Sequence, residues 1–532
     1  MNYLKSFGLT LLLGFLYFYF LLPPINPTSL SFWVFIIFLL IVFATTAFSL
    51  NTVTIITKQP FDLRLLKLGK GPLIFLGTIV FIIVGIIIVN IIMSPLFIAD
   101  AYANRIKIDE DNIFADDIKP LNYRKLPVID KNSSMRLGDR VMGRLPDLVS
   151  QFDVSKLYTQ INYQDEIVRV TPLEYSDIFK YFNNRQQGTA GYIKVNSVNG
   201  EAELVRLDEG MKYMNSAILN SRLDRKLRFS YPTKIFAGTY FELDDESNPY
   251  WIVPTIKYYG VSIRPDIEGV VILDPITGDS NYYDVKDVPE WVDHVYPSQL
   301  IIEQTDDWGR YKNGFWNSIF GQRNVTKTTR GYNYTIIDDD VYLYTGITSV
   351  IGDESILGFI LTNLRTKETN FYSAPGAEEY SARASAQGQV QHMNYVATFP
   401  LLVNLNDQPT YFLSLKDQAG LVKMYALVDV ADYQRVVVTD IAEGLEQAIF
   451  NYVGEQLDEL NIVNREITIR EIHQVLIDGN TIYFLVDQNN NKYRLSIRVD
   501  DEIIPFLKVN DQIEVGFYET ENELIEILTI KK

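Results

Sequence analysis

Cysteine is absent from all 532 residues, and histidine occurs only three times. Without cysteine there is no disulfide framework, no thiolate nucleophile and no sulfur ligand for zinc. For a chain with an exported region, that absence favours a bacterium whose surface proteins do without disulfides. His294, His392 and His473 stand alone, none in an H-E-x-x-H pattern, and each reads as a surface or helix-end residue. No G-x-S-x-G, S-x-x-K, Walker or dinucleotide-binding motif stands in a suitable setting, so no catalytic residue, cofactor or metal is expected. The acidic runs Asp109-Glu110-Asp111, Asp244-Asp245 and Asp338-Asp339-Asp340 lack the spacing of an EF-hand loop and read as solvated turns.

Acid is nearly missing from the first 99 residues, where Asp62 alone faces Lys5, Lys58, Arg64, Lys67 and Lys70. The net charge of −18 therefore belongs to the remainder, with 43 basic residues against 65 acidic ones. A surface of that sign repels nucleic acid.

Three apolar segments fill the charge-poor end: Phe7 to Leu22, Leu30 to Leu50 and Leu73 to Ser94. The second and third, about twenty residues at 1.5 Å each, cross a bilayer core of about 30 Å. The first is shorter and near the lower limit, and no A-x-A-like site follows it to make it a cleaved signal peptide. The loop Pro23 to Ser29 is uncharged, whereas Asn51 to Pro72 holds Lys58, Arg64, Lys67 and Lys70. The positive-inside rule then puts the N-terminus and this second loop in the cytoplasm, and residues from about 100 onward outside. Polar residues in the spans are few; Thr45, Thr46 and Asn90 are the ones placed to line a path, and no Asp, Glu, Lys, Arg or His lies there. The spans read as an anchor, with Asn90 placed to meet another helix.

Beyond the spans one pattern recurs. Gly269 to His294 reads as an apolar strand, an Asp274-Pro275-Ile276-Thr277-Gly278-Asp279 turn, and a second strand with Tyr282 and Tyr283. A short helix follows from Val288-Pro289-Glu290-Trp291. Proline presets φ in such a turn and glycine supplies a positive φ. Gly191 to Asn215, Gly358 to Ala386 and Pro409 to Val436 repeat the order at irregular spacing, which predicts duplication with insertions. A hairpin cannot bury its face alone, so each needs its helix or a neighbouring sheet.

The strand, Asp-Pro-x-Thr-Gly-Asp turn, strand and short helix of Gly269 to His294 resemble the PepSY class of small exported α+β domains. That resemblance implies a non-catalytic inhibitory or assembly module and brings no catalytic residues with it.

Other stretches predict smaller features. Leu137-Gly138-Asp139-Arg140 reads as a turn, Asp165 to Val170 as a strand and Asp177 to Arg185 as a helix. Ser381 to Gln391 is small and polar and reads as a helix end followed by a linker. In Asp440 to Asn461 a helical stripe runs through Ile441, Leu445, Ala448, Ile449, Tyr452, Val453 and Leu457. Five short strands from Arg465 to Ile530 resemble a small OB- or SH3-like barrel. The aromatic run Trp308 to Phe320, with Tyr311, Phe315 and Trp316, is the candidate partner-binding surface, although core burial is the ordinary use of such residues.

The expected architecture is a membrane-anchored α+β chain with three N-terminal transmembrane helices, repeated hairpin–helix units outside and a small C-terminal β-barrel. Its parts are a membrane domain (1–99), a membrane-proximal segment (100–188), PepSY-like repeats (189–440), a connecting helix (441–464) and the barrel (465–532). The expected role is a non-enzymatic cell-surface interaction or assembly module. Its partners would be the lipid bilayer and other envelope proteins, and a homo-oligomer is compatible with it. An accessory subunit of a transport or secretion complex, and an envelope hydrolase using a carboxylate pair, are the alternatives.

Overall fold

A computed structural model describes residues 2–58, 70–121, 125–164, 166–337, 339–351, 355–453, 462–477, 480–500, 503–518 and 524–532. Three long helices open it: α1 (Asn2–Leu21), α2 (Leu30–Lys58) and α3 (Lys70–Ile92). Each contains a stretch long and apolar enough to cross a membrane. Most of the basic loop between α2 and α3 lies outside the described residues. Pro23 and Pro24 follow the end of α1, and Pro95 opens a short helix α4 (Pro95–Ala103) just past α3. The Tyr102 hydroxyl donates to the Met93 carbonyl at 2.9 Å and ties α4 back to the end of α3.

After β1 (Ile108–Asn112), four antiparallel sheets follow. The first holds β2 (Phe152–Val154), β3 (Thr159–Tyr163), β4 (Glu166–Tyr175), β5 (Thr189–Asn196) and β6 (Ala202–Met211). The second holds β7 (Ile235–Phe236), β8 (Tyr240–Leu243), β9 (Pro249–Tyr258), β10 (Pro265–Leu273) and β11 (Ser280–Asp284). The third holds β12 (Thr326–Thr328), β13 (Asn333–Ile337), β14 (Asp340–Ser349), β15 (Ser355–Asn363) and β16 (Thr369–Ala377), with β1 added in parallel along β16. The fourth holds β17 (Val396–Ala397), β18 (Leu401–Leu405), β19 (Gln408–Lys416), β20 (Val422–Asp429) and β21 (Val436–Asp440).

All four share one pairing order: two short strands lie along one edge of a long third strand, and a meander carries on from its other edge. A helix then follows each sheet, at Leu223–Ser230, Ser298–Tyr311, Glu379–Gln389 and Leu445–Val453.

The last hairpin of each sheet turns on the same device. Asn196, Asp274, Asn363 and Asp429 each accept, on Oδ1, the backbone N–H groups two and three residues on. Such Asx turns replace backbone bonds that a tight reversal cannot make. Gly278 completes its turn at φ 79°, where a β-carbon would also meet the Tyr213 ring. In the fourth sheet the matching hairpin is β20–β21. The stretch Pro409 to Val436 covers β19–β20, one hairpin earlier.

Side-chain alternation buries both faces of the second sheet. Phe241, Trp251, Val253 and Val271 pack with Val168, Val170 and Ile193 of the first sheet. Ile252, Val270 and Ile272 pack with Leu300 and Ile301 of the helix Ser298–Tyr311 and with Val341 and Leu343 of the third sheet. The third and fourth sheets share another core with the helices Glu379–Gln389 and Leu445–Val453. The stripe Ala448, Ile449, Tyr452 and Val453 is buried there; residues 454–461 of the expected connecting helix lie outside the described residues.

The C-terminal sheet runs β26 (Leu524–Glu526), β24 (Lys492–Ser496), β23 (Asn480–Asp487), β22 (Ile462–Ile477), β25 (Gln512–Tyr518), β27 (Thr529–Lys531). One half of the 16-residue β22 pairs with β25 and the other with β23. Its own core includes Ile469, Leu485, Tyr493, Leu495 and Val515.

Several local expectations differ. Leu137 to Arg140 lies inside the helix Lys131–Gly143, capped by Asp130, whose carboxylate accepts the Ser133 N–H at 3.0 Å. Gly138 is there because the Tyr158 hydroxyl occupies the space of a side chain. Ser381 to Gln389 is helical, and its small residues let Ala382 and Ala386 pack fully buried on the fourth sheet's core. Past Val288 there is only a loop before the helix Ser298–Tyr311. The boundary expected at 188/189 falls within the first sheet, since β4 pairs with β5.

The second sheet is seated against the end of α1, the start of α2 and the end of α3. Ser262, in the β9–β10 turn, donates its N–H to the Thr28 carbonyl at 2.8 Å, and its hydroxyl accepts the Leu30 N–H at 2.8 Å. Asn90 of α3 holds Val261 of the same turn. Arg225 and Arg228 donate to the Tyr19 and Leu22 carbonyls at 3.2 and 3.0 Å, filling acceptors left open at the end of α1.

Candidate functional site

A cavity of about 460 Å³ lies where the four sheets meet the segment 127–132. Its floor is Arg169. Val168 and Val170 point into the core between the first two sheets, so strand alternation sends Arg169 to the other face of β4. There it is 7% exposed. Its guanidinium donates to the Ile129 carbonyl, to the Gln160 Oε1 and, at 3.2 Å, to the Ser197 hydroxyl. Among the described residues no carboxylate pairs with it. Burial pulls its pKa down to about 10, an effect that Asp130 only partly offsets.

Asp130 caps the helix Lys131–Gly143 and accepts Lys416 Nζ at 2.7 Å. Burial pushes its carboxyl upward, but the bonds from Lys416 and Ser133 outweigh that and hold it below its ordinary value. Lys131 follows at the cavity mouth. Burial and then the charge of Arg169 lower its pKa.

Tyrosines and phenylalanines make the opposite wall. His294 is 2% exposed and stacks on Tyr240 at 4.7 Å, so it is a core residue and not the surface residue its isolation in the sequence predicts. Glu242 behind it takes three donors: His294 Nδ1 at 2.9 Å, the His294 N–H at 3.2 Å and the Asp293 N–H at 2.9 Å. Burial raises the Tyr240 and Tyr334 phenols well above their ordinary value, so both stay protonated at neutral pH. No serine or threonine hydroxyl hydrogen-bonds to His294 among the described residues.

The aromatic run divides. Trp308 is half-buried under Lys312 Nζ, which sits 3.9 Å from its ring centre. Tyr311 is buried and meets Tyr102 of α4 edge-on at 5.9 Å, with half-buried Phe315 stacked beyond it at 6.5 Å. Trp316 and Phe320 are 62% and 78% exposed and stack on each other at 5.8 Å across the turn of π-helix Asn317–Gly321. Tyr311, Phe315, Trp316 and Phe320 thus form one chain of ring contacts, with Trp308 outside it, and only Trp316 and Phe320 face outward.

Sequence reasoning missed Arg169, Gln160, Asp130 and Lys131. The available signal was an arginine inside the apolar run Ile167-Val168-Arg169-Val170. Comparison with known protein families, curated proteins and solved structures finds no match to this chain.

Proposed function

We propose that the chain is a non-enzymatic, membrane-anchored assembly module of a bacterial envelope, with residues from about 100 onward outside the cell. The observation that carries this reading is the exposed Trp316–Phe320 pair. Large exposed aromatics mark an interaction site, and the stretch that carries them holds Arg310, Lys312, Arg323 and Lys327 with no acid from 308 to 330. The pair is tied through Phe315, Tyr311 and Tyr102 to the end of α3. A partner reaching it stands beside the end of α3, so in this reading it works at the membrane surface.

The common sheet order and the repeated Asx turn support reading the four sheets as copies of one PepSY-like hairpin–helix unit. The two-sided use of β22 supports reading the C-terminal sheet as a small OB- or SH3-like barrel. The transport-subunit alternative loses support because Asn90, the amide available to line a path, is taken up by Val261. The hydrolase alternative needs two acids in a cleft near Trp308 to Phe320. The buried acids Glu242 and Asp293 instead bond to His294, Asn162 and the backbone.

The test is gentle detergent extraction of the tagged chain from its own membranes, with mass spectrometry of what co-purifies. A defined membrane protein that accompanies the native chain and is lost from the W316A/F320A double variant supports the reading. Retention of that protein by the variant overturns the assigned surface. So does quenching of Trp316 fluorescence by brominated lipid with no partner recovered, which would make the pair a lipid anchor.

A further inference from the structure

We infer that the central cavity binds a small organic anion, a carboxylate or phosphate head on an apolar or ring-shaped body, with Arg169, Lys131 and Gln160 holding the head. Arg169 supplies the permanent charge. It is buried without an ion-pair partner among the described residues, and its three bonds all go to neutral oxygens. An uncompensated buried cation is costly, and a bound anion relieves that cost. Lys131 places a second cation at the mouth, also without an ion pair among the described residues. The one acid in the lining, Asp130, is already taken by Lys416.

Gln160 is the independent sign of a missing acceptor. It is 3% exposed, it turns Oε1 to Arg169, and its Nε2 is buried with no partner among the described residues. Buried amide donors of that kind are normally satisfied. Glu242, behind His294, already accepts three donors and makes no bond to Gln160. Arg169 and Gln160 thus line the buried part of the cavity and Lys131 its mouth. Tyr240, Tyr334 and Phe399 line the same cavity, where an apolar or ring-shaped body would rest. Because Arg presents a planar fork of donors, it suits the paired oxygens of a carboxylate or phosphate.

The experiment uses the full chain in lipid nanodiscs and titrates benzoate, phenyl phosphate and, as the uncharged counterpart, benzamide by calorimetry and thermal unfolding. Saturable binding of at least one anion, absent for benzamide, is expected. K131M, at the exposed mouth, leaves the ligand-free unfolding temperature in place and weakens the anion by about tenfold, as loss of one charge-assisted contact does. R169M abolishes binding. Should R169M fail to fold, K131M and the benzamide comparison decide alone. Anion affinity unchanged in K131M, benzamide binding as well as benzoate, or no saturable binding of either anion would overturn the inference.

Discussion

Asn90 and Val261 are joined by two hydrogen bonds across 171 positions of sequence. The Asn90 amide Nδ2 donates to the Val261 carbonyl at 3.0 Å, and its Oδ1 accepts the Val261 N–H at 2.8 Å. An asparagine near the end of an apolar helix thus acts as a strand partner for one residue of the β9–β10 turn. The residue expected to meet another helix instead ties the sheets to the span.

Replacing Asn90 by leucine leaves both backbone groups of Val261 without partners, a cost of about 1–3 kcal/mol. Amide hydrogen exchange in nanodiscs is expected to rise at 259–263 and to stay unchanged in β14 and β15. Unaltered protection of the Val261 amide would show that the turn is held by Ser262 alone.

Arg228 is 6% exposed, and its guanidinium donates to the carbonyls of Leu22, Tyr231, Pro232 and Lys234. A lysine has one compact charge and cannot reach that fan of acceptors. R228M is expected to lose about 1.5–3 kcal/mol, and R228K to recover less than half of it, in thermal unfolding. Full rescue by lysine would mean that charge alone matters there.

The two tryptophans at opposite extremes of burial separate structure from contact. Trp251 is fully buried and donates Nε1–H to the Tyr213 carbonyl at 2.9 Å. W251A is expected to destabilise the chain by about 3–5 kcal/mol. W316A, at an exposed position, stays within about 0.5 kcal/mol of the native chain. A large loss of stability in W316A would place that ring in a core.

Asp293 gives a pH dependence. It is 3% exposed; burial, and then the charge of Glu242, raise its carboxyl well above the ordinary 3.8. A carboxyl with a raised folded pKa adds stability that is complete below the unfolded value and is lost as pH rises through the folded one. The native chain is therefore expected to lose unfolding temperature as pH climbs above about 4 through that range. D293N, which keeps an acceptor for the Asn162 N–H, should show a flatter profile. Parallel profiles for the two proteins would contradict the shift.

What could be read in the chain follows from how local each signal is. The three apolar helices need only composition. The final hairpins of the sheets announce themselves through Asn196, Asp274 and Asn363, because an Asx turn is written within five residues. Gly138 misled because its reason is a contact with Tyr158, twenty positions away in the chain. The small residues Ala382 and Ala386 read as a linker because their value lies in how closely a sheet can approach them. Neither could the cavity be read locally. Arg169, Lys131, His294 and Phe399 come together only when four separate sheets meet, and no spacing in the sequence records that.

Orientation underlies every part of this account, and the cysteine-free chain makes it directly measurable. Single cysteines at Lys5, Asp287 and Lys532 would be labelled in intact cells with a membrane-impermeant maleimide. The account predicts reaction at 287 and 532 in intact cells, and at 5 only after permeabilisation. Labelling of residue 5 in intact cells, with 287 and 532 protected, would contradict it.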